Sequence, residues 1–175
     1  MLPRFKEQKA LAAILYVAHK LLNNTAEKRA DLYKLQKILY FADKEHMANY
    51  GRPMTGDFYV AMKDGPVPSR TYDMLKQIRG DGCYCSTPDF INKLNESISF
   101  IGNITVNPKK HADTDKLSES DIEAIDNATE LLKDLTFNQI KARSHDSAYD
   151  AADESNNIPM ESVVRAGGAD ISKIS

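Results

Sequence analysis

Tyr33-Lys34-Leu35-Gln36-Lys37-Ile38-Leu39-Tyr40-Phe41-Ala42 is the stretch on which the reading of this chain turns. Leu32, Leu35, Leu39 and Ala42, widened by Ile38, recur at helical spacing and predict one buried face. Asp31 stands where a helix cap belongs and Gly51 where a stop belongs, so the helix is predicted to run to Asn49. Tyr33, Lys37, Tyr40 and Lys44 follow one another at helical steps and share a second face beside the apolar one. Phenols alternating with ammonium groups suit recognition of a protein or nucleic acid. The plainer alternative packs the tyrosines at the core margin and leaves the lysines in water.

Upstream, Leu11, Ile14, Leu15, Ala18 and Leu22 predict a first helix from Pro3 or Arg4 to Asn23, forming a hairpin with the second. Downstream, Gly51-Arg52-Pro53-Met54 leads into a predicted strand, Phe58 to Met62, which Gly65-Pro66 breaks. Pro68 suits the first turn of a third helix, with Thr71, Tyr72, Leu75 and Ile78, that ends at Gly80. Thr87-Pro88-Asp89 begins a short helix through Leu94, and Ser97 to Val106 reads as a hairpin about Gly102-Asn103. That hairpin and the Phe58 strand make an antiparallel sheet of about three strands. Ser118 begins another helix, with Ser120 and Glu123 as a capping box. Thr136 with Gln139 is a second capping box, and Pro159 to Ala166 a last short helix. The expected class is α+β, predominantly helical: a helical bundle with a small sheet. One domain is expected over residues 1–166, with a frayed tail over 167–175.

The chain has 175 residues, 42% of them hydrophobic and 27% charged, and a net charge of −2. This balance supports a real core and argues against a protein whose main task is gripping phosphate backbones. No stretch approaches the ~18 apolar residues of a membrane span, and Met1 to Lys6 does not resemble the start of a signal peptide. The expectation is a soluble, cytoplasmic protein. Cys83 and Cys85 are too close for a relaxed disulfide and too few for a structural zinc site, so they read as reduced thiols on a loop.

No catalytic constellation stands out, and neither a cofactor nor a metal is expected. His145-Asp146 is the one enzyme-like pair. Metal-dependent phosphohydrolases of the His-Asp type use such a pair, and His46, His111, Asp150 and Asp170 could complete the set on paper. A histidine at a helix end serves equally as a cap or packing residue. Asp64-Gly65-Pro66-Val67-Pro68 leads into a helix N-terminus that could take an anion, but no phosphate loop is present. Pro66, Val67 and Pro68 are retained as candidate contacts.

Tyr33-Lys34-Leu35-x-Lys37-x-Leu39-Tyr40-Phe41-Ala42, then Gly51-x-Pro53-Met54, Ala61, Gly65-Pro66-Val67-Pro68 and Tyr72, resembles the SocA-like, or Panacea, antitoxin domain. Ser144-His145 with the later Tyr149 resembles a further motif of that family, although members often carry a Trp there and this chain has none. The resemblance spans roughly Phe5 to Ala166. It implies a bacterial or phage antitoxin that neutralises a cognate toxin by direct binding, in some members by delivery to a protease. It implies a binding module and no enzyme. The candidate partner contacts are Tyr33, Lys37, Tyr40, Lys44, Pro66, Val67, Pro68, Arg70 and Tyr72. The alternatives are a phage or mobile-element protein that binds a host factor, a metal-dependent hydrolase and, last, a nucleic-acid binder.

Overall fold

The second helix is buried on almost every side. In the computed structural model, which describes residues 3–168, it runs Leu32–Tyr50 (α2), and twelve of its residues, from Leu32 to Met47, are buried. Asp31 caps it by accepting the Lys34 N–H at 2.9 Å, and Gly51 ends it in the left-handed conformation at φ +68°. Around this axle pack α1 (Glu7–Asn24), α5 (Glu119–Leu132), α6 (Phe137–Ser144) and α8 (Met160–Ala166). The remaining helices are α3 (Ser69–Arg79), α4 (Pro88–Ser97) and α7 (Ser147–Asp150).

The class is α+β and mostly helical, as expected, but the sheet is assembled differently. Its three antiparallel strands are β1 (Ala30–Asp31), β5 (Thr105–Pro108) and β4 (Ile98–Ile101), in the order β1-β5-β4. The hairpin at Gly102 was legible. Its third partner is the two-residue segment just before α2, too short to show alternation, with Ala30 opposite Val106.

The Phe58 segment belongs elsewhere. It forms β2 (Tyr59–Met62), which turns at Lys63-Asp64 and pairs with β3 (Gly65–Pro68) in a separate hairpin. Gly65-Pro66 therefore continues the sheet where the sequence predicts a break. Proline has no N–H, so Gly65 and Val67 are the only donors β3 can offer β2, and Pro66 and Pro68 are tolerated on its outer edge. The other edge of β2 is covered by residues 155–158: Ser155 N–H donates to Ala61 O, Ala61 N–H to Asn156 O, and Ile158 N–H to Tyr59 O.

Three local readings also shift. α1 starts at Glu7, because the preceding segment runs extended, with Lys6 N–H on Thr55 O. The capping box of α5 is Ser118 with Asp121, not Ser120 with Glu123; Ser120 Oγ is engaged by His46 instead. The box at Thr136 and Gln139 forms as expected. The tail expected to fray falls, from residue 169, outside the described residues.

The α3 N-terminus is filled from within. Asp57 is 1% exposed and accepts the N–H groups of Arg70 and Thr71, both at 2.9 Å. Burial raises its pKa, against the pull of those hydrogen bonds. Asp57→Ala would strand two helix donors in the interior. We expect a loss of about 2 kcal/mol or more, roughly 4–8 °C in Tm, by thermal circular dichroism. An unchanged Tm would contradict this role.

Candidate functional site

Four side chains from α2, α6 and α7 converge on the β2–β3 hairpin, three on its backbone carbonyls and one on a carboxylate. Tyr149 Oη donates to Met62 O at 2.9 Å, and Tyr33 Oη donates to Asp64 O at 2.8 Å. Lys37 Nζ donates to Pro66 O at 2.6 Å, while Lys141 Nζ pairs with the Asp64 carboxylate at 2.8 Å. Lys37 is 1% exposed, with its ammonium 4.8 Å from the centre of the Tyr33 ring. Burial pushes its pKa down to about 7, against a smaller upward pull from Asp64. Gly65, at φ +111°, leaves room for this approach: a Cβ there would collide with Ser144 Oγ and lie 3.0 Å from Lys37 Cε.

A second junction lies one turn along α2. Asp146 caps α7 by accepting the N–H groups of Ala148 and Tyr149. It also accepts the Tyr40 hydroxyl at 2.9 Å and Lys44 Nζ at 2.8 Å. Tyr40 is fully buried and Lys44 is 15% exposed by its side chain. Burial, then the charge and hydrogen bond of Asp146, holds the Tyr40 phenol far above its usual range.

The helical spacing places Tyr33, Lys37, Tyr40 and Lys44 on a partner-facing surface. The structure turns most of that face inward. Because α2 is enclosed by other elements, the polar residues beside its apolar stripe find partners inside the protein. Lys37 and Tyr40 are corrected from exposed contacts to buried ones, as are Pro66 and Pro68. Arg70 is half-buried between the rings of Phe5 and Tyr84, on the side facing α1. A double substitution of Lys37 and Tyr40 would thus probe folding as much as binding.

What remains open is a groove of about 210 Å³ between α2, the hairpin and α3. Tyr33, Gln36 and Lys37 line one wall; Met62, Lys63, Asp64, Gly65, Val67 and Tyr72 line the rest. Five of the nine candidates thus surround or adjoin it: Tyr33, Lys37, Val67, Tyr72 and, through Lys37, Pro66. Two large hydrophobic side chains stand exposed near it: Met62, 41% exposed, and Phe137, 48% exposed, its ring tilted against that of Tyr33 with centroids 4.4 Å apart.

Sequence reasoning missed Gln36, Asp57 and Lys141, placed Asp64 only in a turn before a helix, and read Asp146 only as half of a His-Asp pair. The Asp146 signal was present, since an Asp ahead of Ser147-Ala148-Tyr149 is a cap pattern. As for the His-Asp alternative, Asp146 is engaged by four donors and the His145 ring stacks on Tyr149 at 4.1 Å. His46 is buried against Arg52 O and Ser120 Oγ. Among the described residues no group of three or more His, Cys, Asp or Glu is placed to hold a metal ion. Asp170 lies outside them. Cys83 and Cys85 are free and exposed.

The scaffold is mainly helical, clamps a proline-edged hairpin and leaves an apolar-rimmed groove. The chain belongs to the family described as antitoxin SocA-like, Panacea domain, whose model matches residues 35–149, about two thirds of the chain. The match is narrower than the Phe5 to Ala166 span of the resemblance, but it takes in α2 from Leu35, the hairpin, and α6 with α7. No curated protein and no solved structure matches the chain.

The buried ammonium gives a pH signature. Between about pH 7 and 10.5 the unfolded chain keeps a proton that folded Lys37 has released. The burial penalty is therefore fully present below pH 7 and fades as pH rises toward the unfolded value. Lys37→Met removes this penalty. The Tm of the variant relative to the parent is expected to fall by about 5 °C or more from about pH 6 to about pH 9.5. A pH-independent difference would contradict the assignment.

Proposed function

We propose that this chain is a non-catalytic antitoxin that neutralises a cognate toxin by direct protein–protein contact in the bacterial cytoplasm. The observation that carries the reading is the match to the antitoxin family model across α2, the hairpin and α6–α7. Three features support it. Exposed Met62 and Phe137, with half-buried Tyr33, Val67 and Tyr72, supply the aromatic and apolar contact area that protein partners use. The scaffold beneath them is fixed by side-chain hydrogen bonds to the hairpin, the Lys37 one buried, so little ordering is needed on binding. Among the described residues, no helix is long and apolar enough to cross a membrane.

The toxin surface in this reading meets the rim of the groove. Tyr40, Lys44, Pro68 and Arg70 act behind it as scaffold.

Co-expression with the adjacent open reading frame tests the proposal. Growth is expected to be arrested by that frame alone and restored by this chain, with the two proteins co-purifying. Met62→Glu, at an exposed rim position, is expected to weaken rescue at unchanged circular dichroism. Steady toxin levels during rescue fit neutralisation by binding, and a fall would indicate delivery to a protease. Absence of rescue, or of any toxicity to rescue, would overturn the antitoxin reading.

A further inference from the structure

One wall of the groove includes Gln36, whose buried side-chain amide nitrogen has no mate among the described residues. Gln36 is 94% buried, and its Nε2 has no hydrogen-bond partner among the described residues. An unpaired buried amide donor is costly, so its position on the wall of an open groove is informative. Beside it, Lys37 carries three donors, of which Pro66 O takes one, and it has no carboxylate salt-bridge partner among the described residues. The one acid in the groove, Asp64, is already paired with Lys141. Lys63 stands exposed on the rim and has no salt-bridge partner among the described residues. The groove therefore holds two lysines, of which buried Lys37 is shifted toward the neutral amine, and an amide donor against a single engaged carboxylate, within walls of Met62, Val67 and Tyr72.

We propose that this groove receives an Asp or Glu side chain, flanked by apolar residues, from an extended segment of the protein partner. The carboxylate accepts from Gln36 Nε2 and from Lys37 Nζ, and Lys63 adds attraction at the rim. The apolar neighbours lie on Met62, Val67 and Tyr72. A nucleic-acid phosphate is the poorer fit, because the chain carries net charge −2 and the walls offer apolar area suited to side chains. Sequence reasoning passed over Gln36, since a polar residue between Leu35 and Lys37 gives no signal of its burial.

The inference rests on the reading of the chain as a protein-binding module, and its test does not need the toxin. The isotopically labelled full chain is titrated by NMR with the capped peptide acetyl-Leu-Glu-Leu-amide, and separately with its Gln and Lys counterparts. The glutamate peptide is expected to shift the Gln36 side-chain amide pair and to bind at least about fivefold more tightly than the glutamine peptide. Lys63→Glu, at an exposed site, is expected to weaken that binding about threefold or more with the fold intact. Equal affinity for the three peptides, no binding, or shifts confined to other surfaces would overturn the inference. Growth rescue with indifference to the peptides would sink the groove assignment alone. Peptide selectivity without rescue would sink the antitoxin reading alone.

Discussion

A lysine ammonium held out of water governs this structure. Lys37 lies in the middle of the enclosed helix α2, where an uncompensated charge is expensive. Three compensations meet it: the Pro66 carbonyl, the face of the Tyr33 ring, and a shift toward the neutral amine. Each imposes a further constraint. The carbonyl is free to face α2 because Pro66 and Pro68 sit on the outer edge of the hairpin. Close approach of the two elements requires a residue without a side chain at position 65. The turn that results has its outward carbonyls taken by Tyr149, Tyr33 and Lys37, and that draws α7 onto the same point.

Much of this was legible, for identifiable reasons. Asp31, Gly51, Thr87 and the Thr136 and Gln139 pair are local signals whose physics completes within one turn, and each appears where the pattern places it. The hairpin about Gly102 follows the same logic. What failed depends on tertiary placement. A two-residue strand such as β1 has no pattern of its own. Nor does periodicity distinguish a surface helix with one polar face from a central helix whose polar residues are matched by neighbours. Lys37, Tyr40, Asp43 and His46 belong to the second kind. Asp43 illustrates the cost: it accepts from Met54 N–H and the Tyr59 hydroxyl, yet burial still raises its pKa to about 7.

This distinction changes what the family resemblance means. Lys37, Tyr40, Gly65, Pro66, Ser144 and Tyr149 carry the resemblance, and all of them build or border the clamp between α2, the hairpin and α7. Most of the motif therefore describes a scaffold, while its Tyr33, Val67 and Tyr72 line the groove. The surfaces left over for a partner are the groove wall at Gln36, the rim at Lys63, Val67 and Tyr72, and the exposed Met62 and Phe137.

The protonation state of Lys37 distinguishes a buried clamp from an exposed contact. Side-chain NMR of the labelled chain, following the Lys37 Cε and Nζ resonances through a pH titration, reads it directly. The structure predicts a midpoint depressed to about 7, with resonances shifted by the Tyr33 ring. A Lys37 midpoint near the ordinary value of 10.5 would contradict the buried clamp and the groove built upon it.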